Sequence, residues 1–432
     1  MDPNTSGGPR GLAGEEFPLR RFFAALAAVL MLTLSGCALF FPAADDDPSE
    51  PSSSSPAVDY TAEYSGGWCY QRLSARLKSG YAEVYAALRN GFGRDETVVI
   101  SDSSLGSEKD YLGVRVELSQ PLHTREEAEQ LYTAVTWDNP QFFYLGNTYS
   151  YEGYRSGKVD NYNIFCLVYT MNAQERTEAS RQLNDVVSDM LNNLPAVAAD
   201  DDFLTEKALH GQLLDRCSYE TETATGDDPI SRYPSAFTAY GALVEGRAVC
   251  EGYARAMQLL LHRAGIEATL VSGTDEKQVA HMWNLVTIDG RNYHLDPTWN
   301  DSGDRPTHSY FNLTTEEILR THTIDSDNIG VDTCTATEAN YYLRLGMQME
   351  TSSRDKIASA IADQIRRGET MIELRFTPST FPTARLFVNK SDLLKEKVNE
   401  ALRSDGLEMW DYQDYAINEA YYTITIYRDG GQ

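Results

Sequence analysis

Apolar residues beyond position 250 recur at three- and four-residue steps, which predicts an amphipathic helix. Tyr253, Met257 and Leu260 fall on one face, and Gly265 follows as a residue that readily ends a helix in the left-handed conformation. Small residues precede Cys250, so the pattern places this cysteine at the N-terminus of the helix. Unpaired backbone N–H groups and the helix dipole favour negative charge there, and they therefore favour the thiolate, the nucleophilic form of cysteine.

A second pattern further along the chain predicts two strands joined by a tight turn. Asp289-Gly290 suits a two-residue type I′ hairpin, and counting back from it places Trp283 opposite Asp296. Because side chains alternate across a strand, His281 shares this face and lies diagonal to Asp296, at about 7–8 Å between backbones. The acid can then hold one ring nitrogen of the histidine while the other faces a nucleophile, as in acyl-transfer enzymes.

Three motifs in this region resemble those of the transglutaminase-like superfamily of thiol enzymes. They are GRAVCEGY, HMWN and LDPTWND, in that order. The resemblance covers roughly 207–324 and implies a papain-like fold in which Cys250 is the nucleophile, His281 the general base and Asp296 its orienter. Met282 stands where alanine is more usual in the family, a departure that we expect to alter packing rather than chemistry.

The implied fold class is α+β. A helix bearing the cysteine packs on an antiparallel sheet bearing the histidine and the acid, and two smaller α+β modules flank this core. Alternation at 112–118 predicts a half-buried strand, and Thr124-x-x-Glu127 predicts a helix start. The predicted divisions are a lipoprotein signal peptide at 1–36, an acidic Ser/Pro-rich tether at 37–67, an N-terminal α+β domain at 68–199, the transglutaminase-like catalytic core at 200–334 and a C-terminal α+β accessory domain at 335–432.

Three aromatic residues near the triad are candidates for supporting roles. We expect Trp283 and Trp299 to exclude water from the imidazole–carboxylate pair, which strengthens that hydrogen bond. Tyr240 could donate its hydroxyl to an oxyanion beside the backbone N–H of Cys250, but a core tyrosine is the simpler interpretation. A run of tyrosines between residues 144 and 162 either packs on a sheet or offers a platform for sugar rings, and packing is again the simpler interpretation.

The histidines raise the question of a metal site. His294 with His281 and Asp296 has the residue types that zinc prefers. The triad, however, needs His281 free, so we expect no metal and no other cofactor. His322 and the remaining histidines have no partner visible in the sequence and are interpreted as ordinary surface or core residues.

The N-terminal sequence predicts the cellular location of the protein. Arg20 and Arg21 precede an apolar stretch at 22–34 that is too short to span a membrane and suits a signal peptide. Leu-Ser-Gly-Cys then ends at Cys37 and resembles a bacterial lipobox, whose cysteine receives the lipid. The resemblance implies a lipid-anchored protein on the cell membrane, facing the outside of a bacterial cell, with a plain secretory signal as the alternative.

Net charge limits the classes of binding partner, and the cysteine count limits the possible disulfides. The net charge of −27 argues against nucleic acid and against direct contact with an anionic membrane surface. Cys69, Cys166, Cys217 and Cys334 remain after the lipidation and nucleophile candidates are set aside, and they allow three disulfide pairings or four buried free thiols.

Three functions fit this sequence. The first is a cysteine protease or amidase that hydrolyses peptide bonds in a surface protein or in cell-wall peptide through a thioester. The second is an acyl transferase that passes the same thioester to an amine and cross-links proteins. The third is a non-catalytic scaffold that binds a partner at the cell surface.

Overall fold

The computed structural model describes most of the chain from Gly67 onward. The described residues are 67–102, 107–156, 159–221, 233–301, 305–403, 406, 410 and 414–427. The predicted signal peptide, Cys37 and nearly all of the tether lie outside them. Within the described ranges, no helix is both long and apolar enough to cross a membrane.

The first module combines helices with an antiparallel sheet of strand order β1-β2-β4-β3. Its elements are α1 (Trp68–Arg72), α2 (Ala75–Gly91), β1 (Thr97–Asp102), β2 (Ser107–Leu122), α3 (Arg125–Asp138), β3 (Leu145–Ser156), β4 (Val159–Tyr169) and α4 (Ala173–Asn192). Thr124 caps α3 by accepting the backbone N–H of Glu127, as the sequence predicted. The strand expected at 112–118 is the middle of β2.

The tyrosines of this module pack in its core. Tyr144, Tyr149, Tyr151 and Tyr162 are buried, whereas Tyr154 is exposed. The ring of Tyr149 stacks at 4.1 Å on that of a tyrosine from α3. This arrangement supports the packing interpretation over a sugar platform.

The central module packs one helix on a second antiparallel sheet, of strand order β10-β7-β8-β9. Its elements are α5 (Asp202–Arg216), β5 (Ser218–Tyr219), β6 (Arg247–Ala248), α6 (Cys250–Arg263), β7 (Ala268–Asp275), β8 (Ala280–Ile288), β9 (Arg291–Leu295), α7 (Pro297–Asn300), α8 (Thr315–Ile318) and β10 (His322–Ile324). α6 buries Tyr253, Met257 and Leu260 completely and is followed by Gly265 at φ 83°. The predicted fold class is confirmed.

The last module forms a third sheet, of strand order β11-β12-β14-β13. Its elements are α9 (Tyr341–Arg344), β11 (Gln348–Met349), α10 (Arg354–Arg366), β12 (Met371–Phe376), α11 (Phe381–Val388), α12 (Ser391–Leu402), β13 (Asp414–Asn418) and β14 (Thr423–Tyr427). β11 runs parallel to β12, and the other pairs are antiparallel. The resulting mixture of helix and strand matches the predicted α+β composition.

The three modules are joined in two different ways. One continuous apolar cluster runs from α1 through the central module to α9, whereas most of the last module surrounds an apolar cluster of its own. The last module also makes polar contacts with the centre: Glu373 accepts from the backbone N–H of His308 at 3.0 Å and lies 2.7 Å from its Nδ1. The predicted domain limits stay predictions.

Candidate active site

Cys250 is the first residue of α6. Val249 precedes it in an extended conformation, with φ −90° and ψ 179°, and no side chain caps the helix. Cys250 is partly exposed, whereas the other cysteines in the described ranges are buried. The helix therefore presents its N-terminal end, where negative charge is favoured, beside a thiol that solvent can reach.

Gly252 lets the chain segment before the helix approach its first turn. A Cβ atom at this position would lie 2.4 Å from the carbonyl oxygen of Ala236 and 2.7 Å from the Cβ of Ala248. Neither neighbour is the end of a flexible side chain, so any larger residue would push the start of α6 away. The glycine thus fixes the position of the adjacent thiol.

The hairpin of β8 and β9 has the predicted turn and register. Asp289 and Gly290 both have positive φ, at 50° and 72°, as a type I′ turn requires. At the other end of the ladder Asn284 pairs with Leu295. This register carries the next residue, Asp296, to the place predicted for it, and both hairpin predictions are confirmed.

His281 lies between Asp296 and Cys250. Its Nε2 is 2.8 Å from Asp296 Oδ2, and the imidazole is buried. Burial alone lowers the pKa of His281, but the Asp296 carboxylate, together with the hydrogen bond and charge of Cys250, raises this pKa to about 10. Since Nε2 is engaged by the acid, Nδ1 is the nitrogen left to face the thiol. The three residues singled out from the sequence therefore meet in space.

Asp296 accepts four hydrogen bonds. Oδ1 accepts the backbone N–H groups of Thr298 at 2.9 Å and Trp299 at 3.1 Å, because Asp296 is the N-cap of α7. Oδ2 lies 2.8 Å from His281 Nε2 and 3.2 Å from His322 Nε2. Burial opposes ionisation, but these two histidines hold the pKa of Asp296 well below its usual range. The carboxylate is therefore ionised and held in one orientation.

His322 is the residue of this site that the sequence interpretation missed. It was expected to be ordinary, yet it is buried, begins β10 and contacts the same carboxylate oxygen as His281. Its position depends on the pairing of β10 with β7, where His322 lies opposite Asp275. No local spacing in the sequence signals this pairing.

Two tryptophans enclose the imidazole–carboxylate group, as expected. Trp283 is fully buried, with its ring centroid 6.0 Å from that of His281 and 5.0 Å from that of His322. Trp299 is partly buried and lies 5.7 Å from His281 and 4.5 Å from His322 by the same measure. Low polarity around the ionised pair strengthens its hydrogen bonds.

The hydroxyl of Tyr240 is engaged by a residue of the first module. Its hydroxyl donates to Gln182 Oε1 at 2.7 Å, and its ring stacks at 5.1 Å on Phe143 of the first module. These contacts favour the packing interpretation, with Tyr240 partly buried against the apolar cluster. Tyr219 is the tyrosine beside the nucleophile: burial and the charges of Cys250 and Asp296 raise the pKa of its phenol, although its side chain remains accessible.

The structure separates His294 from His281 and Asp296, the other two residues weighed as metal ligands. His294 is turned away from the triad: its Nδ1 accepts from Trp283 Nε1 at 3.1 Å, its Nε2 lies 3.0 Å from Thr315 Oγ1, and burial lowers its pKa to about 3. His281, Asp296 and His322 instead offer ligand atoms within 4.8 Å of one another. Their mutual hydrogen bonds satisfy those atoms without an ion.

The other cysteines are chemically distinct from Cys250. The four in the described ranges are free, which favours buried thiols over the three disulfide pairings. Burial raises the pKa of Cys217 to about 12 and that of Cys334 to about 11. These thiols stay protonated at neutral pH and are poor nucleophiles.

One segment of the chain is similar to a known family. Residues 193–297 match the Transglutaminase-like superfamily. This transglutaminase-like segment includes Cys250, His281 and Asp296, and the match supports a general thiol-enzyme function. A search of curated proteins found no match.

Three solved structures are similar to parts of the chain. The first is a TGase, with 13% identity and a TM-score of 0.26; the match covers 45% of this chain and 53% of the TGase. The second is a candidate cysteine protease from Cytophaga hutchinsonii, with 14% identity and a TM-score of 0.21; the match covers 35% of this chain and 61% of that protein. The third is a candidate protease from Parabacteroides distasonis, with 9% identity and a TM-score of 0.18; the match covers 33% of this chain and 30% of that protein. The chain spans less than two thirds of each of these proteins.

Proposed function

We propose that this protein is a thiol hydrolase that cleaves amide bonds in peptides. The Cys250 thiolate attacks the amide carbonyl, and His281 delivers its Nδ1 proton to the leaving amine as the C–N bond breaks. Water then attacks the thioester while His281 accepts a proton. The C–S bond breaks, the carboxylic acid product leaves and the thiolate is restored beside the protonated imidazole, with Asp296 orienting the ring throughout.

One observation carries this proposal. His281 is engaged on one side by a buried, ionised carboxylate and on the other by a cysteine at a helix N-terminus. A pKa of about 10 means that the imidazole holds a proton at neutral pH, as a general acid for the leaving amine must. The partial exposure of Cys250 gives a substrate carbonyl access to the sulfur.

The same thioester could pass to an amine instead of water, which would give a protein cross-link. We favour hydrolysis because water reaches a partly exposed thioester at far higher concentration than any amine. We also propose that a lipid on Cys37 anchors the enzyme to the outside of a bacterial membrane, with protein or cell-wall peptide as the substrate. The net charge of −27 supports the exclusion of nucleic acid.

The experiment follows both fates of the acyl group at once. The full-length protein is incubated with a peptide library and cell-wall peptides in the presence of a fluorescent primary amine. Mass spectrometry then counts new peptide termini and attached amine. We expect new termini without amine, and a loss of about 10⁴-fold or more in Cys250→Ala. Cys217→Ala is the matched control, because its buried thiol has no such partners.

Three results would change the conclusion. Amine attached at the expense of hydrolysis would show an acyl transferase. Cleavage that survives Cys250→Ala would refute the role of this thiol. If neither product forms, and if Cys250 reacts with iodoacetamide no faster than the buried cysteines, the module is a binding scaffold.

A further inference from the structure

A line of hydrogen bonds leads from the last module to the triad. Tyr421 lies just before β14, and its hydroxyl is 2.8 Å from Thr321 Oγ1. Thr321 Oγ1 is in turn 2.8 Å from His322 Nδ1. The other nitrogen of this ring, Nε2, is 3.2 Å from the Asp296 oxygen that also contacts His281. All five side chains are buried.

The protons along this line have one consistent direction. Asp296 is ionised and can only accept, so Nε2 of His322 carries the proton in their hydrogen bond. In a neutral imidazole Nδ1 then accepts, and the Thr321 hydroxyl is its donor. The oxygen of Thr321 accepts in turn from the Tyr421 hydroxyl. With a neutral His322 ring, each proton points toward the carboxylate and the tautomer is Nε2–H.

His322 gives a second hydrogen bond to Asp296 Oδ2, the oxygen that orients His281. Without its N–H, Oδ2 of Asp296 would have a single partner in a site closed by two tryptophans, where an unpaired lone pair is costly. With two imidazoles on the same oxygen, the carboxylate cannot swing out of line with His281. The two backbone N–H groups that donate to Oδ1 also hold the carboxylate in this orientation.

We propose that His322 is a positioning residue for the reaction, and that Tyr421 of the last module, acting through Thr321, supports the tautomer in which His322 donates to Asp296. The proposal rests on the function proposed above, since it concerns the same Cys250, His281 and Asp296. It also gives the last module a direct part in the active site.

The expected decrease in kcat follows from the strength of the hydrogen bonds that each substitution removes. A hydrogen bond to a charged group contributes about 1.5–3 kcal/mol, which corresponds to roughly 10- to 100-fold in rate. We therefore expect His322→Leu to lower kcat by about 10- to 100-fold with little change in KM. Tyr421→Phe and Thr321→Val remove neutral hydrogen bonds and should lower kcat by about 2- to 10-fold.

The decisive comparison is between two substitutions of the same residue. In His322→Gln the amide N–H₂ can donate to Asp296 as Nε2 does, so most of the activity should return, whereas leucine fills the space and donates nothing. The matched control is His262→Leu, which removes a partly buried imidazole held by the carbonyl of Ala268 at the far end of α6, about 18 Å from Cys250 along the helix. Its kcat should equal that of the wild type.

Two readouts are measured on each variant: peptide turnover and the rate at which iodoacetamide alkylates Cys250. Thermal unfolding is recorded to identify variants that fail to fold. Turnover and alkylation should both fall in His322→Leu and recover in His322→Gln. Equal values in wild type and folded His322→Leu, or a fall that glutamine does not restore, would overturn the positioning role.

The two proposals can fail separately. If the wild type turns over no peptide, the proposed function fails, and alkylation still reports whether His322 supports the Cys250–His281 pair. If the wild type is active and Tyr421→Phe matches it in both readouts, the part assigned to the last module is wrong.

Discussion

Asparagine in place of Asp296 would test the orienting acid with the smallest change of shape. The amide oxygen can still accept the two backbone N–H groups that now bind Oδ1. The amide N–H₂ group, however, would face Nε2 of His281 and Nε2 of His322, which both donate to the carboxylate. For His281 to accept from the amide, its proton must move to Nδ1, the nitrogen facing Cys250. The imidazole then cannot take the proton of the thiol.

The expected decrease in kcat can be estimated from the two hydrogen bonds that the substitution removes. They measure 2.8 and 3.2 Å and join imidazole N–H groups to one ionised oxygen. At about 1.5–3 kcal/mol each, their loss amounts to roughly 3–6 kcal/mol, or about 10²- to 10⁴-fold in kcat. Substrate contacts are untouched, so KM should change little.

The same substitution should change how stability depends on pH. The pKa of His281 is about 10 in the folded protein and about 6.5 in an unfolded chain, so the folded state binds more protons between these values. Its contribution, roughly 3–5 kcal/mol, is fully present below about pH 6.5 and is lost as pH rises through 10. Asp296→Asn should flatten this fall.

The assay combines peptide turnover with urea unfolding at pH 6, 8 and 10. Asp289→Asn is the matched control, because it makes the same chemical change at the exposed turn of the same hairpin, where asparagine tolerates the positive φ. The control should behave as wild type. A folded Asp296→Asn protein with wild-type kcat, or with an unchanged slope of stability against pH, would refute the orienting role.

Three further predictions concern neighbouring residues. Iodoacetamide at neutral pH should label Cys250 and spare Cys217 in the folded protein, and mass spectrometry of the peptides would detect equal labelling if this is wrong. Gly252→Ala should destabilise the protein by about 1–3 kcal/mol in urea unfolding, because its Cβ would meet the Ala236 carbonyl; an unchanged midpoint would show that the start of α6 can shift freely. Tyr240→Phe should cost about 1 kcal/mol of stability and leave kcat intact, whereas a fall of about 10²-fold would restore the oxyanion role.

The parts of the site that the sequence predicts are those fixed by local chemistry. Asp289-Gly290 requires a turn with two positive φ angles, and once this turn is set, strand alternation places Trp283 and Asp296 without knowledge of the rest of the fold. The helix after Cys250 is likewise defined by its own apolar spacing. These inferences need only the geometry of a hairpin and of a helix.

The parts that could not be predicted depend on contacts between distant segments. His322 is 26 residues beyond Asp296 and reaches it because β10 adds to the edge of the sheet beside β7. Tyr240 follows no periodic pattern that would reveal its hydrogen bond to Gln182, a residue 58 positions earlier. Sequence spacing records neighbours along the chain, whereas these partners are chosen by tertiary packing.

The continuous apolar cluster that joins the first module to the centre limits how this protein can be divided. A chain beginning near residue 200 would expose the apolar surface that α1 to α4 now cover, and such a fragment is prone to aggregate. The last module differs, since its own cluster lets most of it stay packed when detached. The first two modules therefore share one apolar core, whereas the third joins it through α9, Tyr421 and polar contacts such as that of His308 with Glu373.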